Sequence, residues 1–124
     1  MNKKILLVED EASIADVFKE QLTIGGFDVE IANGGEQALQ LLKVNKYHVM
    51  LLDLVMPEVD GLAVLQKMKE KPEEYPKLPT IALTNVTSDD VKKEVESYNL
   101  QGYLLKLSIK PQMLIEAVNK AIAS

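Results

Sequence analysis

The chain has 124 residues, a formal net charge of −5, 47% hydrophobic and 27% charged side chains, and no cysteine. That length makes one globular domain whose core needs no disulfide or structural metal, and the missing cysteine excludes zinc ribbons, iron–sulfur clusters and thiol nucleophiles. Every basic residue is lysine and the one histidine is His48, which argues against a nucleic-acid face built on arginine forks and excludes any site needing two histidines.

The first apolar run, Ile5-Leu6-Leu7-Val8, has no polar alternation and reads as a strand buried on both faces. It is too short for a signal peptide or a spanning helix, so a cytoplasmic protein with no membrane segment is expected. Ile14, Val17, Phe18 and Leu22 follow at helical spacing as the inner face of a first helix, closed by Gly25-Gly26. Asp28-Val29-Glu30-Ile31 is a weaker second strand, and Asn33-Gly34-Gly35 opens a second helix carrying Ala38, Leu39, Leu41 and Leu42. Val49-Met50-Leu51-Leu52 is a third strand, with His48 at its start in a structural place. Asp60-Gly61 is a turn and helix start, leading into Leu62, Leu65 and Met68. Ile81-Ala82-Leu83 is the fourth strand. Thr87 or Ser88 then caps a helix along Val91, Val95 and Tyr98, with Asp89 and Asp90 in its first turn. Gly102 reads as a C-cap before a last strand, Tyr103-Leu104-Leu105. Pro111 fits the first turn of a fifth helix bearing Met113, Leu114, Ala117, Val118 and Ile122.

Strict strand–helix alternation predicts a single α/β domain over 1–124, a doubly wound (βα)5 parallel sheet with helices on both faces. Ligands bind such sheets outside the carboxyl ends of the strands. The residues falling there are Glu9 and Asp10 after the first strand, Asp53 after the third, Thr84 after the fourth and Lys106 after the fifth. Three converging carboxylates repel one another unless a cation offsets them. With no histidine or cysteine nearby, a hard oxygen-seeking ion such as Mg²⁺ fits best. A carboxylate nucleophile, a metal, a lysine and a hydroxyl make a phosphoryl site.

These residues resemble the response-regulator receiver domains of two-component signalling. The resemblance rests on Ile5-Leu6-Leu7-Val8-Glu9-Asp10-Glu11, Leu51-Leu52-Asp53-Leu54-Val55-Met56-Pro57, Asp60-Gly61, Ile81-Ala82-Leu83-Thr84 and Gly102-Tyr103-Leu104-Leu105-Lys106, in order over essentially the whole chain. It implies a flavodoxin-like fold with strand order 2-1-3-4-5. It implies Asp53 as phosphoacceptor from a sensor histidine kinase or phosphotransfer protein. Mg²⁺ is then held by Asp10, Asp53 and the Val55 backbone carbonyl, with Glu9 acting through water. Lys106 is implied to pair with the phosphoryl oxygens, and Thr84 and Tyr103 to switch the face made by the fourth helix, fifth strand and fifth helix. A downstream protein partner follows, with a homodimer through that face as a family habit and no nucleic acid bound by this domain.

Two positions depart from the family pattern. Leu107 follows Lys106 where proline is usual, so a trans peptide bond is expected there. Asn85 follows Thr84 where a small residue is usual, and an amide there narrows the entrance or reaches the phosphoryl group. Val55 and Val86 flank the site with no group to orient an attacking water, which implies a long-lived acyl phosphate. Taken singly, the same residues have plain readings: Glu11 as an acidic first turn of a helix, Tyr103 as core, and the methionines as packing. The competing functions are a receiver-like scaffold that is never phosphorylated and a Mg²⁺-dependent phosphohydrolase. The latter wants a second aspartate where Val55 stands. A nucleotide or flavin binder lacks its glycine-rich loop, since Glu9-Asp10-Glu11 occupies that place.

Overall fold

A computed structural model describes residues 2–85, 88–98 and 100–123. Five strands, β1 (Lys4–Val8), β2 (Asp28–Ala32), β3 (Val49–Asp53), β4 (Thr80–Thr84) and β5 (Gly102–Leu105), alternate with five helices. The helices are α1 (Ala12–Ile24), α2 (Gly35–Val44), α3 (Gly61–Glu70), α4 (Asp89–Glu96) and α5 (Pro111–Ala123), and one 3-10 turn, Lys106–Ser108, joins β5 to α5. All strand pairs are parallel and the order is β2-β1-β3-β4-β5. Strand order reverses between β1 and β3, so the crevice at their carboxyl ends is where a ligand fits.

The apolar runs explain the layers. Alternate residues of a strand point to opposite faces. Leu6, Val8, Met50, Leu52 and Ala82 therefore pack with Ala38, Leu42, Val64, Leu65 and Val95 under α2, α3 and α4. Ile5, Leu7, Val49, Leu51, Ile81 and Leu83 pack with Ala15, Phe18, Leu22, Leu114 and Val118 under α1 and α5. Both faces are covered, which is why these strands carry no polar alternation.

Several helix details differ from the sequence reading. Val17 is 51% exposed and Met113 43% exposed, because each is one residue, about 100°, away from a buried neighbour, Phe18 or Leu114. Tyr98 lies past the end of α4, which closes at Ser97. Gly102 is the first residue of β5 and caps no helix; a Cβ there would lie 3.3 Å from Ile81. The Ser88 hydroxyl accepts the Val91 N–H at 3.2 Å, capping α4. The expectations for Thr87 and Val86 fall outside the described residues. Asp60 caps α3, its carboxylate accepting the Ala63 N–H at 2.9 Å. Among the described residues no helix is long and apolar enough to cross a membrane.

At the amino end of the sheet, His48 precedes β3. Its Nδ1 accepts the Lys4 N–H at 2.9 Å, while its own N–H donates to the Lys4 carbonyl at 2.8 Å. Beside it the Tyr47 hydroxyl donates to Glu30, and the Lys4 ammonium lies 3.7 Å from the same carboxylate.

Candidate functional site

The carboxyl ends of β1, β3 and β5 bring four charged side chains together. Glu9 and Asp10 follow β1 directly, Asp53 ends β3, and Lys106 follows β5. The Glu9 N–H donates to the Ala32 carbonyl at 3.0 Å, carrying the sheet ladder one residue further and fixing where its side chain leaves the chain. Oxygens of Glu9, Asp10 and Asp53 all lie within 4.8 Å of one another. Glu9 and Asp53 are buried, and Asp10 is more open.

The Lys106 ammonium lies 2.5 Å from Glu9 Oε1 and 3.0 Å from Asp53 Oδ2. Burial works against its charge, but hydrogen bonds to Glu9 and Asp53, and the charges of both, outweigh that and hold its pKa above the usual lysine value. Each buried carboxylate is also aimed by a backbone amide two residues on. Asp53 Oδ1 accepts the Val55 N–H at 3.1 Å and Glu9 Oε2 accepts the Glu11 N–H at 3.2 Å. Glu11 is thus the N-cap residue of α1 and not part of its first turn, and its side chain caps nothing.

Three carboxylates against one ammonium leave the cluster at −2, so there is room for a further cation. The donors are all oxygen and include a carboxylate open to solvent, which suits an ion that keeps several waters. The cavity above is lined by Asp10, Asp53, Val55, Met56, Asn85 and Lys106, together with Glu11 and Pro57.

Thr84 and Tyr103 stand outside this cluster. Thr84 ends β4 fully buried and does not line the cavity, whereas the next residue, Asn85, does. Tyr103 sits in β5 opposite Ala82, half-buried against the α2–α4 core, and burial pushes its phenol pKa up. Lys92 Nζ lies 6.0 Å from its ring centroid.

The loop from Asp53 to Asp60 is shaped by backbone contacts that sequence reading passed over. A Cβ on Gly61 would meet the Asp53 carbonyl oxygen at 2.3 Å and Leu54 Cα at 2.8 Å. Only glycine fits there, so α3 starts against the strand end that carries Asp53. Glu58 takes a left-handed φ of 65°, a conformation that costs a non-glycine residue about 1–2 kcal/mol. After β5 the described peptide bonds are all trans, including Lys106–Leu107. Asn85 lines the cavity, and its Oδ1 accepts the Leu107 N–H at 3.0 Å. The sequence signal was the pair of departures at Asn85 and Leu107; that they meet was not visible in it.

The chain is similar to proteins of one family in both sequence and fold. A family model described as the response regulator receiver domain matches residues 5–119. A probable transcriptional regulator, ycf27, of Porphyridium aerugineum is 39% identical over 96% of this chain and 50% of that protein. Another, ycf29, of Porphyra purpurea is 32% identical over 98% of this chain and 57% of that protein. The chain spans about half the length of the curated relatives it matches. Among solved structures, the receiver domain of the Francisella response regulator 1452 is 30% identical with a TM-score of 0.86, covering 98% of both chains. The Vibrio cholerae chemotaxis protein CheY4 is 26% identical with a TM-score of 0.87, covering 98% of this chain and 99% of that one.

Proposed function

This chain belongs to the response regulator receiver domain family, and on that premise we propose that it is a phosphorylation switch with Asp53 as the phosphoacceptor. The observation that carries the reading is the Lys106 ammonium seated between Glu9 and Asp53, beside Asp10. The donor is a phosphohistidine on a sensor histidine kinase or a phosphotransfer protein. An Asp53 carboxylate oxygen forms a bond to phosphorus as the bond from phosphorus to the imidazole nitrogen breaks, and the imidazole leaves.

Asp10, Asp53 and the Val55 carbonyl would hold Mg²⁺, with Glu9 reaching it through water. The ion would supply positive charge to the phosphoryl oxygens. Lys106 then exchanges its contact with the Asp53 carboxylate for the new phosphoryl oxygens, still balanced by Glu9. Phosphorylation adds about −1.5 to −2 charge, which draws donors inward. Thr84 moves its hydroxyl to the phosphoryl group and Tyr103 turns inward behind it, altering the face made by α4, β5 and α5. Through that face the domain acts on another protein or another segment of a longer chain, or pairs with a second copy. The names of its relatives as transcriptional regulators, of which it matches only part, support such an output.

Mass spectrometry after incubation with acetyl phosphate and Mg²⁺ tests the reading. A single phosphate adduct is expected, and it is lost in Asp53→Asn. No adduct, with no response to beryllofluoride, points to a scaffold that works without phosphorylation; multiple turnover of a phosphomonoester points to a hydrolase.

A further inference from the structure

The turn that carries Lys106 is weakly built. It is a single 3-10 turn, Lys106–Ser108, with no buried residue and no side-chain cap. Leu107 projects into solvent, 88% exposed, so its side chain anchors nothing. Beyond the strand ladder, which ends at the Thr84–Leu105 pair, one hydrogen bond among the described residues ties this turn's backbone to another element. It is the bond from the Leu107 N–H to Asn85 Oδ1, at 3.0 Å. The acceptor belongs to the residue directly after Thr84 and lines the same cavity as Lys106. A proline at 107 would have no N–H to donate. The amide at 107 and the acceptor at 85 are therefore one matched feature of this chain.

We propose that Asn85 is a positioning residue that fastens the Lys106 turn to the end of β4, so that the placement of the lysine follows the Thr84 loop. The proposal rests on Asp53 being the phosphoacceptor. When Thr84 is drawn to a phosphoryl group, Asn85 must carry the Leu107 amide with it or release it. Either way, movement at β4 is passed to the β5–α5 connection through a hydrogen bond and not only through the tyrosine.

The test measures two quantities in the full chain and in Asn85→Ala. One is hydrogen exchange of the Leu107 amide by NMR; the other is the rate of Asp53 loading from acetyl phosphate with saturating Mg²⁺. In Asn85→Ala, Leu107 protection and loading rate each fall roughly three- to tenfold, the range one net hydrogen bond represents, while protection in β3 and Mg²⁺ affinity are unchanged. Asn85→Asp, which keeps an acceptor oxygen of the same reach, restores Leu107 protection. A purely structural role would instead lower protection across the sheet and would not spare Mg²⁺ affinity. An Asn85→Ala protein loaded as fast as a readily loaded wild type, or unchanged Leu107 protection, overturns the positioning role alone. A wild type that takes no phosphoryl group at Asp53 overturns the phosphoacceptor reading and this proposal together.

Discussion

Lys106 is the residue on which the site's charge balance turns. Its side chain is 8% exposed, between a Glu9 that is 1% exposed and an Asp53 that is 4% exposed. Removing one partner of such a buried set leaves uncompensated charge and costs about 3–5 kcal/mol. Lys106→Met is therefore expected to lower the stability measured by urea unfolding at neutral pH by about 3 kcal/mol. Saturating Mg²⁺ should restore part of that loss, since it supplies the missing positive charge. A loss under about 1 kcal/mol, the range of exposed ion pairs, would show that water already screens the cluster. The position of Lys106 after an apolar strand was legible in the sequence. Its choice of Glu9 and Asp53 was not, because chain position fixes where a backbone emerges and not how far a four-carbon side chain reaches.

At the scale of elements, the β3–α3 connection decides how accurately Asp53 is presented. Asp60 is readable as a cap, since a side-chain oxygen just before an apolar helical repeat satisfies a free amide. The need for Gly61 is not readable. It comes from the Asp53 carbonyl pressing on the place of its Cβ, a contact between two elements. Gly61→Ala must displace backbone and is expected to cost about 1–3 kcal/mol, as overpacking does. It should also weaken Mg²⁺ binding measured by calorimetry, because the displaced atoms belong to the strand end that carries Asp53. Gly34→Ala is the control: nothing lies within 4 Å of its Cβ and its φ of 177° is ordinary extended backbone. Equal Mg²⁺ affinity in Gly61→Ala and Gly34→Ala would remove the link between this contact and the site. Helix faces show the same division. Phe18, Leu22, Leu114 and Val118 are inside as their spacing predicts, but Val17 and Met113, equally apolar, are largely exposed. Apolarity names the candidates for the core, and the angle at which a helix meets the sheet selects among them.

Across the whole molecule the two ends of the sheet do different work. Acids and Lys106 gather at the carboxyl end, while Lys4, Glu30, Tyr47 and His48 tie the amino ends together. Burial, the hydrogen bond to Glu30 and the Glu30 charge push the Tyr47 phenol up to about 12, against a lowering by Asn45. A pKa raised in the folded state means that the native protein holds a proton the unfolded chain has released. Its stabilisation is full below the unfolded value near 10 and is lost as pH rises to about 12. Urea unfolding at several alkaline pH values should show the stability difference between wild type and Tyr47→Phe shrinking across that window. A constant difference would mean that the phenol is not held protonated by the fold.

The sequence by itself determined the five alternations, the two covered faces of the sheet and the set of residues at its carboxyl edge. Those follow from burial periodicity and from the geometry of parallel strands, which any stretch of chain carries locally. Only the tertiary structure decided that Lys106 bridges Glu9 and Asp53, that Gly61 must be bare against Asp53, and that Asn85 receives the Leu107 amide. Each is a contact between groups well separated in the chain, from Gly61 and Asp53 to Lys106 and Glu9, set by how strand ends and loops converge once the core has packed. Local pattern says which groups are available, and convergence in space says which of them meet.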